Sequence, residues 1–110
     1  MSSPSLSVVM PTYDAAEYIE RSLKSIFRQS FEDYELIIVD DGSTDGTIDL
    51  IKERDDERLR LIEREKESGI TSALNRGIDE SSGKYIARHD ADAWSMPDRF
   101  NKQTTYFETH

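Results

Sequence analysis

The chain has 110 residues, enough for one core of ordinary domain size and too few for two. Its 23 acidic against 14 basic side chains leave a formal charge of −9, which argues against nucleic acid or an anionic membrane surface as partner, since both need a basic patch. Cysteine is absent, so disulfides and thiolate metal sites are excluded. No apolar run approaches the roughly 20 residues of a transmembrane segment, and Met1 to Leu6 lacks the basic start and apolar stretch of a signal peptide, so the expected compartment is the cytoplasm.

The apolar residues fall into short runs separated by segments of helical period. Leu6 to Met10 reads as a buried strand closed by Pro11. Asp14 and Glu17 have the spacing of a capping box, and behind them Ile19, Leu23, Ile26 and Phe27 give one apolar face to a helix ending near Gln29. Leu36 to Val39 is an unbroken aliphatic run, the pattern of a central parallel strand buried on both faces. Ser43, Thr44 and Asp45 can cap a second helix reaching about Arg54. Leu59 to Ile62 is a weaker strand whose neighbouring Arg60 and Arg64 suggest an edge. Ile70, Ala73, Leu74, Gly77 and Ile78 mark the stripe of a third helix, and Tyr85 to Arg88 a fourth strand. Pro97 opens a last helical segment carrying Met96, Phe100, Thr104 and Phe107 on one side.

This βαβαβαβα order predicts an α/β fold over residues 1–110: a parallel, Rossmann-like sheet with helices on both faces. Ligands of such sheets lie beyond the carboxyl ends of the strands, at a switch in strand order. Three of those ends are rich in polar residues: Pro11, Thr12 and Tyr13; Asp40 to Asp45; and His89 to Asp92.

Neither of the familiar glycine-rich phosphate loops occurs, so an acidic chain that binds a diphosphate needs a bridging cation. Asp90-Ala91-Asp92 offers one. Two residues apart on extended chain, its carboxylates point the same way with Cα atoms about 6 to 7 Å apart, close enough to share a hydrated hard metal. A competing motif is a calcium loop, with Asp41, Ser43, Asp45, Gly46 and Asp49 at its first, third, fifth, sixth and ninth positions. Its twelfth position is Lys52 where a bidentate Glu is required, which favours a plain strand-to-helix turn.

Taken together, Ser7 to Tyr13, Val39 to Asp45, the helix from Gly69 to Gly77 with Asn75, and Asp90-Ala91-Asp92 followed by Met96-Pro97-Asp98-Arg99 resemble the family 2 glycosyltransferases of the GT-A fold. The resemblance spans nearly the whole chain from Ser7. It implies an inverting enzyme that moves a sugar from a nucleotide-diphosphate donor to a saccharide or other acceptor with Mg²⁺ or Mn²⁺. By position, Pro11, Thr12 and Tyr13 would line the nucleoside pocket, with Tyr13 against the base. Asp41 would accept from a ring N–H, which uracil supplies and which favours a UDP-sugar; Asp40 would support that turn. Asp90 would hold the ribose or donor sugar and Asp92 the metal.

Ala93 and Leu74 stand where many relatives carry a third acid and an arginine. The family's catalytic base and acceptor half lie beyond the position of His110, so the expectation is the donor-binding part of a longer enzyme, with an exposed sheet edge that favours a homo-oligomer. Two rivals carry no transfer chemistry of this kind: a non-catalytic nucleotide-sugar-binding module, and a phosphoacceptor receiver, which wants its acidic pair after the first strand where Pro11-Thr12-Tyr13 stands. His89 reads as a packed strand residue, because hard metals prefer oxygen, and Trp94 as an aromatic anchoring a loop.

Overall fold

The structure is a computed structural model and describes residues 4–65 and 69–91. Its elements, in chain order, are β1 (Leu6–Thr12), α1 (Ile19–Phe27), β2 (Tyr34–Asp40), α2 (Thr47–Lys52), β3 (Leu59–Glu63), α3 (Ile70–Glu80) and β4 (Tyr85–Arg88). The last expected helix, with Met96, Pro97, Phe100, Thr104 and Phe107, lies outside the described residues, as do Asp92, Ala93 and Trp94.

All strand pairs are parallel, in the order β3-β2-β1-β4. The chain therefore lays strands outward from β1 to β3, then crosses back to add β4 on the other side of β1. That reversal opens a crevice between β1 and β4 at their carboxyl ends, the place where doubly wound sheets hold ligands.

Side-chain alternation decides which helix covers which residue. Val8, Met10, Leu36, Ile38 and Ala87 face the layer built by Ile19, Leu23 and Ile26 of α1 and Ile51 of α2. Their odd-numbered neighbours Ile37 and Val39 face the other way, onto Ala73 of α3. Helices thus cover both faces, and the unbroken aliphatic run of β2 follows from burial on each side.

Several boundaries differ from the sequence expectation, each for a local reason. β1 does not stop at Pro11 but runs through it to Thr12. Along β1, Thr12 bonds towards β2 and Val9 towards β4, where His89 N–H donates to its carbonyl. Pro11 shares the parity of Val9, so its missing N–H falls on the β4 side past the end of that ladder and no strand bond is lost.

The expected capping box at Asp14 and Glu17 does not form. Asp14 is left-handed at φ 46° and turns to the neighbouring loop, while α1 starts two residues after Glu17 with Tyr18 as N-cap and no side-chain cap. The Ala15 carbonyl accepts from both Tyr18 N–H (2.9 Å) and Ile19 N–H (2.8 Å) and makes the entry turn instead.

In α2 the N-cap is Gly46; Asp45 still contributes from one residue earlier, accepting from Thr47 N–H at 3.1 Å. In α3 the stripe is buried only through its small residues. Ala73 and Gly77 are buried, whereas Ile70 is 53% and Ile78 43% exposed. Gly77 packs so close to Val9 that a Cβ there would overlap the valine side chain, and the helix sits low on the sheet at that point. No helix among the described residues is long and apolar enough to cross a membrane.

Candidate functional site

A cleft of about 420 Å³ opens at the carboxyl ends of β1, β2 and β4. Pro11 to Ala15 and Tyr18 form one wall, Asp41, Gly69, Ile70 and Ala73 a second, and Arg88, Asp90 and Ala91 a third. Three of the large apolar side chains left exposed, Tyr13, Tyr18 and Ile70, gather here. Exposed aromatic and aliphatic faces around a concave polar floor are what an organic ring requires of a binding site.

Two adjacent carboxylates at the end of β2 diverge because side chains alternate along a strand. Asp40 takes the α1 face and is fully buried. Its Oδ1 accepts from Thr12 Oγ1 at 2.7 Å and Ser43 Oγ at 2.6 Å, and its Oδ2 from Ser43 N–H at 2.9 Å. Asp40 is not among the cleft-lining residues; it braces the turn beneath them. Asp41 takes the α3 face and lines the cleft, with Oδ2 accepting from Gly69 N–H at 3.0 Å and Oδ1 2.6 Å from Arg64 Nη2. Gly69, at φ 95° and ψ 161°, holds an extended positive-φ conformation open to glycine, with its amide on Asp41 as α3 begins.

The loop after β1 is tied to the loop after β2 and the start of α2 by four hydrogen bonds. Asp14 N–H donates to Ser43 Oγ (2.8 Å) and Thr44 N–H to Asp14 Oδ1 (2.8 Å). Ala15 N–H donates to Thr47 Oγ1 (2.8 Å) and Ala16 N–H to Asp45 Oδ2 (3.1 Å). The hydrogen bond from Thr47 Oγ1 holds the Asp45 carboxyl below the usual aspartate range, against a small opposing effect of burial. These bonds occupy Ser43 Oγ and the Asp45 carboxylate, the third and fifth positions of the calcium loop, and among the described residues no group of three or more His, Cys, Asp or Glu could by itself hold a metal ion.

At the end of β4, Arg88 Nε donates to Asp90 Oδ1 at 2.9 Å and both side chains line the cleft. His89 points the other way and is buried. Its Nδ1 lies 2.9 Å from the Asp90 carbonyl and 3.4 Å from Ser22 Oγ. Because a carbonyl can only accept, Nδ1 carries the proton, and His89 is the packed strand residue expected. Asp92, the expected metal ligand, lies outside the described residues. The Asp90 carboxylate is a hard oxygen donor, which suits Mg²⁺ or Mn²⁺. Such ions take one or two carboxylates and complete their shell with water and substrate phosphate.

Of the expected site residues, the structure brings Pro11, Thr12, Tyr13, Asp41 and Asp90 to one cleft and puts Asp40 behind it. Sequence reasoning missed Ala15, Tyr18, Ile70 and Arg88 as lining residues and Arg64 as the partner of Asp41. An apolar residue at the first position of α3, directly after a glycine, was the available signal for Ile70.

Comparison with known proteins gives a consistent result. Residues 7–110 match the family model described as Glycosyl transferase family 2. An uncharacterized glycosyltransferase of Haemophilus influenzae is 39% identical over 107 residues, covering 96% of this chain and 33% of that protein. Staphylococcus aureus TarS 1-349, solved in complex with UDP-GlcNAc, superposes with a TM-score of 0.91 at 26% identity, over 96% of this chain and 32% of that one. The mannosyltransferase PcManGT of Pyrobaculum calidifontis, in complex with GDP-Man and Mn²⁺, gives 0.82 at 30% identity, over 96% and 32%. The chain spans well under half the length of the curated relatives it matches, 40%, 33% and 42% for three of them.

Proposed function

The chain belongs to glycosyl transferase family 2, and from that membership we propose that its cleft binds the nucleoside diphosphate of a sugar donor for an inverting glycosyl transfer. The observation that carries this reading is the pair of carboxylates, Asp41 on one wall and Asp90 on the opposite one, in a cleft at the strand-order reversal. The sugar nucleotides held by TarS and PcManGT, the latter with Mn²⁺, support it.

In this reading Tyr13, 48% exposed, offers its ring face to the base, and Pro11 and Thr12 form the wall beneath. The Thr12 hydroxyl is committed to Asp40, so Thr12 serves the cleft through its backbone. Asp41 accepts from the ring N–H of the base, with uracil the favoured partner. Asp90 holds ribose or donor-sugar hydroxyls, and Asp92 with Asp90 would hold Mg²⁺ or Mn²⁺. The cation supplies positive charge against the charge growing on the departing diphosphate. Among the described residues of the cleft, the carboxylates of Asp14, Asp41 and Asp90 already hold hydrogen-bond or ionic partners; none is assigned as the base that takes the acceptor proton, which is proposed to come from beyond His110.

Calorimetry with UDP, GDP and CDP, in Mn²⁺ and in EDTA, tests the reading. Binding should be stronger with Mn²⁺, and Asp92→Ala should lose that gain while keeping the fold. Equal nucleotide affinity in Mn²⁺ and EDTA would overturn the metal-assisted site.

A further inference from the structure

Four cations line an open groove along the outer face of α1: Arg21 and Lys24 on the helix, Arg28 at its C-cap, and Arg54 just past the end of α2. Glu17 and Glu20 close one end of it. Such a gathering is unexpected in a chain whose acidic side chains outnumber the basic ones 23 to 14, because a surface cation there has carboxylates to choose from. Among the described residues six cations have taken one: Lys52, Arg58, Arg60, Arg64, Arg76 and Arg88. The four in the groove have not, and Lys84 is the one other described cation without a carboxylate partner.

Glu17 and Glu20 stand four residues before Arg21 and Lys24, the spacing that joins Arg76 to Glu80 on α3, and still form no ion pair with them. Arg54 is held by other means. Its guanidinium lies 5.6 Å from the centre of the half-buried Phe27 ring, and its N–H groups bond no side chain, whereas Arg58 beside the same ring is bidentate to Asp56. Attraction to the helix dipole accounts for a cation at the end of α1, as Lys24 and Arg28 are, but not for Arg21 in its first turn or for Arg54 on another segment.

We propose that this groove docks an acidic segment of a partner polypeptide. Arg21, Lys24 and Arg28 follow one helix face at steps of about 5–6 Å. Alternate residues of an extended peptide present carboxylates about 6–7 Å apart on one side, so successive acidic side chains can each meet a cation. Arg54, fixed on Phe27, adds a planar fork of donors suited to a carboxylate. A bilayer suits the surface less well: it is concave, it carries two carboxylates at one end, and none of the large apolar side chains left exposed lines it. The groove shares no lining residue with the cleft and stands apart from the nucleotide reading.

The test is fluorescence anisotropy of a labelled oligoglutamate of about ten residues, titrated with the full chain at an ionic strength of about 50 mM. The formal charge of −9 repels such a peptide overall, so saturable binding reports a local surface. Neutralising the groove with Arg21→Gln, Lys24→Gln and Arg28→Gln together should weaken binding by about ten-fold or more. Arg60→Gln, Arg76→Gln and Lys84→Gln together remove the same charge elsewhere and should leave it within about two-fold of the wild type. Because the three groove side chains are exposed, the fold should survive; Lys24→Glu, a single reversal, should weaken binding in the same direction and serves if the triple variant does not fold. No saturable binding by the wild type, or equal weakening by both triple variants, would overturn the proposal. Sedimentation with phosphatidylglycerol vesicles that is lost in the groove variant would reassign the surface to a membrane and overturn it as well. UDP affinity in Mn²⁺ should be the same for the wild type and the groove variant, so failure here leaves the nucleotide site standing.

Discussion

Thr12 and Asp40, register partners on adjacent strands, share a buried hydrogen bond of 2.7 Å from the threonine hydroxyl to the aspartate. Through Ser43, which donates to Asp40 and accepts from Asp14 N–H, the contact joins the ends of β1 and β2 to the loop that walls the cleft. The cleft-facing Asp41 is thus carried by a turn whose own carboxylate is spent on rigidity.

Asp40→Ala should therefore act on stability before it acts on any ligand. It strands the buried Thr12 hydroxyl and the part-buried donors of Ser43, at an expected cost of about 1–3 kcal/mol. Urea denaturation should show a lower midpoint with an unchanged m-value. A variant as stable as the wild type would mean that the turn is held elsewhere.

Asp41→Asn should leave stability less affected than Asp40→Ala and change ligand choice instead. An amide can present either a donor or an acceptor to the base, so the expected preference for UDP over CDP should fall by about ten-fold. Equal binding of the two nucleotides by the wild type would remove Asp41 from base recognition.

The close approach of α3 to β1 predicts an unusual response at Gly77. In an exposed helix, Gly→Ala stabilises by up to about 1 kcal/mol. Here the new methyl meets the Val9 side chain, and overpacking of about 1–3 kcal/mol should win, so Gly77→Ala is destabilising. Adding Val9→Ala makes room for the methyl, and the double variant should lose less than the sum of the two single losses. Additive losses would show that the two positions do not touch.

Glu35 supplies the acid limb of stability. Burial alone would push its carboxyl up, but hydrogen bonds from Ser7 Oγ and from Ser82 N–H and Oγ outweigh this and hold it below the usual glutamate range. A carboxyl whose folded pKa is lowered adds stability above its unfolded pKa, about 4.3 for glutamate. That contribution disappears as the pH falls through the lower folded value. Glu35→Gln should be less stable than the wild type at neutral pH, with the gap closing as the solution is acidified below about pH 4. A gap independent of pH would assign the loss to packing.

Strand and helix identity, and their alternation, were legible in the sequence because burial on two faces writes continuous aliphatic runs such as Leu36 to Val39, and burial on one face writes the spacing of Ile19, Leu23 and Ile26. The polar strand ends were legible for a related reason: a polar side chain inside a sheet needs a dedicated partner, so a cluster of them such as Thr12, Asp41 and Asp90 marks where the aliphatic runs give out. What the chain order could not express was competition between partners distant in sequence. Asp14 had the local spacing to cap α1 and was drawn instead to Thr44, thirty residues on. Arg64 looked like the charge of an edge strand and became the buried partner of Asp41. Ile70 had the periodicity of a core residue, yet the packed helix leaves it half exposed on the wall of the cleft. Local pattern sets which residues must leave water; only the packed sheet, by choosing strand order and the distance of each helix, decides which of them meet.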